Sequence, residues 1–204
     1  MNFIAIECST NVCSIASYKS SKLLNVIDIS DSYNHSTNLP IIFKSIDDDL
    51  KKIDTKVNYY AISIGPGSFT SLRISLSFLK GIVFSKNIPI LPVQTLAALN
   101  VGTEKLGKHY IIIDSFKDRC FIQKFNNHTQ IGTPYIEKNL NLKNLDYPIY
   151  GYSKNIEKNN YIKPSSLLIG AYVIKNYKSL IKKPANDISP IYLSENVYKK
   201  MDDS

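Results

Sequence analysis

Residues 62–93 read ISIGPGSFTSLRISLSFLKGIVFSKNIPILPV, a succession of strand, tight turn, helix and strand. Tyr59 to Ile64 is a short run rich in aromatic and β-branched residues and bounded by turn formers, the pattern of a buried strand. Gly65-Pro66-Gly67 ends it, because glycine reaches positive φ at no steric cost while proline fixes φ and offers no N–H. Ser68 carries the side-chain oxygen of a helix N-cap. From Phe69 the apolar residues Leu72, Leu76, Leu79 and Val83 recur at threes and fours, drawing one stripe along a helix over 68–86. Ile74, Phe78 and Ile82 add more apolar surface than one sheet face requires.

The small residues of this helix form a second pattern. Ser71 and Ser75 lie four apart on one face, and Ser77 and Gly81 repeat the spacing. Such a ladder lets another backbone come close. Its occupant is either the helix's own sheet or a helix of a partner, and spacing alone favours the sheet.

Gly65-Pro66-Gly67-Ser68-Phe69-Thr70, followed by Leu72-Arg73-Ile74, resembles the signature of the TsaB proteins, bacterial partners in making threonylcarbamoyladenosine beside the anticodon of tRNA. The family usually has glycine where this chain has Ser71 and Ser75, so the ladder is kept but widened.

Composition sets the outer bounds. A chain of 204 residues, 44% hydrophobic and 21% charged, is long enough to bury a sizeable core as one domain or two small lobes. It has no apolar run of membrane-spanning length and no signal-peptide start, so a cytoplasmic protein is expected. Cys8, Cys13 and Cys120 form no CxxC pair and are expected to be reduced structural thiols. The net charge of +8 invites a nucleic-acid reading. Arg73 and Arg119 are the only arginines, however, and the lysines are scattered, which favours a solvated surface over a tRNA groove.

Along the chain, Phe3–Glu7, Val12–Tyr18 and Lys22–Asp28 make an antiparallel meander. Glu7, Ser9 and Thr10 hold the positions where actin-like ATPases place an acidic residue and a phosphate-facing turn; a plain polar turn is the preferred account. A helix is expected over 35–53, with Leu39, Ile42, Phe43, Ile46 and Leu50 on one face and a solvated Asp47–Asp49 on the other. His35 is expected to cap that helix, having no nucleophile or carboxylate at motif spacing. Ile88–Val93 is a strand and Gln94–Val101 a helix. The catalytic paralogue, TsaD, holds a metal through a His-x-x-x-His pair here, where this chain has Thr95 and Leu99. His109 and His128 show no ligand spacing.

In the second half, His109–Asp114 and Arg119–Phe125 form a hairpin, 126–145 is polar and poorly periodic, and a short strand lies near 148–151. Ser165–Leu180 is a capped helix, Ser189–Leu193 resembles the Pro-Val-Tyr-Leu close of the family, and 199–204 is a frayed tail. Beyond Gly107 the glycines are Gly132, Gly151 and Gly170, with no glycine-rich turn to approach a nucleotide.

The resemblance covers nearly the whole chain. It implies an α/β, actin-like ATPase or ribonuclease-H-like fold with a first lobe over 1–103 and a second, reduced lobe over 104–204. It further implies a non-catalytic subunit that binds and activates TsaD, with TsaE in the same complex and tRNA met indirectly. In the family the two first-lobe helices pack against their counterparts in TsaD. That placement nominates His35, Leu39, Ser68, Phe69, Ser71, Leu72, Ser75, Leu76 and Leu79 as the partner interface. On it, Ser75→Leu or Leu76→Asp should abolish pairing and leave the monomer folded. No catalytic residue, metal or cofactor is assigned; a nucleotide where two subunits meet and a homodimer stay open. A stand-alone peptidase or ATPase, or a direct tRNA binder, are the rival readings.

Overall fold

The computed structural model describes residues 1–30, 34–84, 86, 88–103, 107–181 and 188–193; the expected tail at 199–204 lies outside them. Strands β1 (Phe3–Glu7), β2 (Cys13–Lys19) and β3 (Lys22–Ile29) form the expected meander. Helix α1 (His35–Lys52) leads to β4 (Tyr59–Ser63), and α2 (Phe69–Val83) leads to β5 (Ile90–Val93). Both β4 and β5 run parallel to β1, giving a five-stranded sheet in the order β3-β2-β1-β4-β5. Pro92 is accommodated on β5 because that strand is an edge and has one ladder to satisfy.

Helix α3 (Thr95–Val101) then enters a second sheet of β6 (Lys108–Asp114), β7 (Arg119–Asn126), β8 (Thr129–Lys138) and β9 (Ile149–Tyr152), in the order β8-β7-β6-β9. β6 to β8 are an antiparallel meander and β9 is parallel to β6. This repeats the first four strands of the first sheet and lacks its fifth, the reduction expected of the second lobe. The polar stretch 126–145 nevertheless contains β8. Its outer half is exposed and it carries Gly132 and Pro134, so the alternation that marks a half-buried strand is missing.

Side-chain alternation on β1 divides the first core in two. Ile4 and Ile6 face α1 and α2, where they meet Leu39, Phe43, Ile46, Leu76 and Leu79. The extra apolar residues of α2 are used between the helices: Phe78 meets Phe43 edge-on with ring centroids 5.3 Å apart. Phe3 and Ala5 face the opposite side, which is covered by Ile169 and Val173 of α4 (Ser166–Leu180). Helix α4 comes from the second half of the sequence yet packs on the first sheet. In exchange, Leu96 and Leu99 of α3 pack on β6 and β7, and α3 and α4 touch between the sheets. The two sheets thus lie in successive halves of the sequence, while the helices that cover them are exchanged.

The start of α4 is pinned to β2. Ser165 caps the helix, and the buried Ser14 hydroxyl accepts from the Ser166 N–H at 2.8 Å and donates to the Ser166 hydroxyl at 2.7 Å. Ser14→Ala leaves two buried polar groups of Ser166 without that partner, at a cost of about 2 kcal/mol. A double-mutant cycle with Ser166→Ala in urea unfolding is expected to show coupling on the order of 1 kcal/mol. Additive effects would mean that the two residues are not coupled.

Candidate functional site

The sheets open toward each other at the C-terminal ends of β1 and β4, leaving a cleft of about 920 Å³. Its first wall is the 9–11 turn with Gly67, Ser68 and Phe69; its second is Asp114, Arg119, Phe121 and Tyr152. Tyr152 bridges them, its hydroxyl donating to Asn11 Oδ1 at 2.8 Å. Residues 191–193 close the rim, Ile191 donating its N–H to the Ile64 carbonyl at 2.7 Å. Arg73 lies 3.6 Å above the Phe69 ring and donates to the Tyr192 hydroxyl at 2.9 Å, while Tyr192 packs on Phe69. The second half of the family-like signature therefore holds the C-terminal segment in place.

The glycine loop closes directly on the first turn. Gly65 adopts φ +100°, and a Cβ on Gly67 would stand 2.3 Å from the Ser9 carbonyl oxygen. That approach brings the Ser68 N–H to 2.6 Å from the same oxygen. Ser68 caps α2 as expected, accepting from the Ser71 N–H at 3.4 Å.

Glu7 does not reach the cleft. Its carboxyl is fully buried and accepts from the Ser9 N–H at 2.5 Å. Burial pushes it up to about 7 against the opposing hydrogen bonds from Ser9 and Ser63. Thr10 accepts from the Val12 N–H, and the Ser9 hydroxyl is buried beside the Glu7 carboxyl. The acidic residue, the hydroxyls and the loop amide are thus all turned inward, an arrangement that does not fit a magnesium–nucleotide bound in the usual manner of actin-like ATPases.

The residues expected at the partner interface divide sharply. Leu39, Leu72, Leu76 and Leu79 are buried within this chain, as are His35, Ser71 and Ser75; Ser68 and Phe69 are exposed. Leu76 is 5% exposed and lies in the core between sheet and helices, so Leu76→Asp would put a carboxylate there and unfold the monomer. Ser75 is wholly enclosed and returns its hydroxyl to the Leu72 carbonyl at 3.2 Å, so Ser75→Leu would overpack the same core. The apolar stripe marks the face that the chain's own sheet covers. The outward stripe of α2 runs instead through Thr70, Arg73, Ser77 and Gly81 to Phe84, which is 92% exposed. Of the two small-residue pairs, Ser77 and Gly81 are the exposed one, and a Cβ on Gly81 would meet nothing within 4 Å.

Sequence spacing missed one cluster. Cys8 and Cys13, on either side of the first turn, and His35, at the start of α1, are all buried with donor atoms within 4.8 Å of one another. Their separation in sequence hid them, although the β1–β2 hairpin register would have paired the two cysteines. Thr95 and Leu99, at the positions of the paralogue's histidines, are buried in α3. His109 is buried against Asn100 and Gly107, and His128 is exposed.

A five-stranded sheet in this order, facing a shortened copy of itself over a cleft, defines a two-lobed, actin-like protein of ribonuclease-H-like fold. The family model described as TsaD, tRNA N6-adenosine threonylcarbamoyltransferase, matches residues 29–139. The tRNA threonylcarbamoyladenosine biosynthesis protein TsaB of Buchnera aphidicola from Acyrthosiphon pisum is 30% identical over 199 residues, covering 93% of this chain and 87% of that one. The protein of the same description from the Baizongia pistaciae subspecies is 26% identical over 217 aligned positions, covering 94% and 97%. Among solved structures, YeaZ from Pseudomonas aeruginosa superposes with a TM-score of 0.75 at 18% identity over 94% of this chain and 99% of that one, a likeness of fold. The chain belongs to the TsaB family, placing it in the biosynthesis of threonylcarbamoyladenosine in tRNA.

The loop contact yields a stability test. Gly67→Ala is expected to cost about 3 kcal/mol, because the added methyl would collide with the Ser9 backbone. It should lower the urea midpoint without changing the denaturant slope, and an unchanged midpoint would contradict the close approach.

Proposed function

We propose that this chain is a non-catalytic subunit that docks on the tRNA N6-adenosine threonylcarbamoyltransferase, TsaD, and activates it, with TsaE joining the same assembly and tRNA reaching it through its partners. The observation that carries this reading is the outward face of the α1–α2 layer. It exposes Ile41 (62%) on α1 and Phe84 just past α2, beside the open Ser77–Gly81 step. Large apolar side chains next to a surface where backbone can come close suit a helix from another subunit. The interface is accordingly drawn through Ile41, Arg73, Ser77, Gly81 and Phe84, with Phe69 and Ser68 at its cleft end, instead of through the buried leucines. A second copy of the chain would meet the same face when the enzyme is absent.

A catalytic role of its own finds little support. Cys13 and His35 are the nearest approach to a nucleophile and base, and both are too deeply buried for a substrate to reach. The inward-turned Glu7 and the occupied Ser68 amide argue against a resident nucleotide in the cleft. Among the described residues no helix is long and apolar enough to cross a membrane, which suits a protein working where tRNA is modified in the cytoplasm.

Gly81→Arg and Phe84→Asp are expected to leave the fold unchanged, because both positions are exposed. Each should weaken binding to the organism's TsaD by at least about tenfold in titration calorimetry. Transfer of threonylcarbamoyl by TsaD should require the wild-type chain and fall with either variant. Full activation by both variants would exclude this face as the interface. Transfer by TsaD alone, or peptidase activity from this chain alone, would exclude the activating role.

A further inference from the structure

We propose that Cys8, Cys13 and His35 form a structural site for a thiophilic divalent cation, Zn²⁺ in the first instance, which ties the first turn of the chain to the start of α1. The Cys8 and Cys13 sulfurs are 3.7 Å apart. Two thiolates on one tetrahedral zinc, each with a bond of about 2.3 Å, stand about 3.8 Å apart, so the sulfur pair already has the edge length of a loaded site.

The histidine is prepared in the same sense. Its Nε2–H donates to the Thr10 carbonyl at 2.8 Å, which fixes the ring and leaves Nδ1 as the remaining donor atom. Nδ1 is buried and forms no hydrogen bond of good geometry, while His35 interacts with the Cys13 thiol. A metal-ligating histidine typically gives its other N–H to a carbonyl in this way. The donor atoms lie within 4.8 Å of one another, so any longer edge must shorten toward about 3.6 Å, a closure on the order of 1 Å.

A divalent ion would take both sulfurs as thiolates, their protons leaving to solvent. Full burial excludes a catalytic, open-coordination role.

The test uses the full chain purified from cells given zinc. Metal analysis is expected to find one zinc per chain, retained through gel filtration. Metal-free protein titrated with Co²⁺ should show a thiolate-to-cobalt charge-transfer band and the visible bands of a tetrahedral ion. Cys13→Ser and His35→Asn should weaken the ion's binding by roughly 100-fold or more. If either variant fails to fold, the wild type still decides: Zn²⁺ should protect Cys8 and Cys13, but not Cys120, from alkylation under mild denaturation. Folded wild type with no zinc and no charge-transfer band would overturn the proposal. So would a Cys8–Cys13 disulfide in place of metal, or zinc bound undiminished by folded Cys13→Ser.

Discussion

The Ser68 N–H donates to the Ser9 carbonyl across a gap that the missing side chain of Gly67 leaves open. This contact joins the turn after β1 to the loop after β4, the two central parallel strands of the first sheet. Ser68 in turn caps α2, and the adjoining Ile64 carbonyl receives Ile191 from the C-terminal segment. The cleft floor, the entry of α2 and the closing segment therefore share one support. Its effect reaches chemistry as well: with the turn held against the loop, the Ser9 N–H points back to Glu7 and away from the cleft. A fold otherwise suited to holding phosphates is left with its polar groups mutually satisfied.

The second constraint is the exchange of α3 and α4 between the sheets. Each sheet has one face that is covered by a helix from the other half of the sequence. The second sheet has no counterpart of α1 between β8 and β9. Its outer face is closed by short apolar side chains from loops, including Leu142, Leu145 and Ile156. The first lobe therefore carries an outer pair of helices that the second does not, and it is the lobe with a helical surface to offer a partner.

Much of this was legible in sequence, because the signals were periodic. The meander, both long helices, the Ser68 and Ser165 caps and the β6–β7 hairpin follow from alternation and capping residues. β8 escaped because an exposed edge strand has no buried face to write into its pattern. The outward face of α2 was not legible for a different reason. Three-four spacing identifies the side of α2 that must leave water, but not whether sheet or partner covers it, and Leu72, Leu76 and Leu79 are covered by their own chain. Cys8, Cys13 and His35 were invisible to spacing because only the hairpin and the α1 packing bring them together. Ser14 and Ser166, 152 positions apart, were beyond any local rule.

The dependence of the first sheet on α4 has a temporal side. Phe3, Ala5, Ala16 and Tyr18 emerge from the ribosome early, but the helix that covers them is made last. At bacterial translation rates that apolar face waits on the order of ten seconds for its partner. During that interval the sheet has one dressed face and one bare one. That face of the first sheet therefore cannot be covered until α4 has been made.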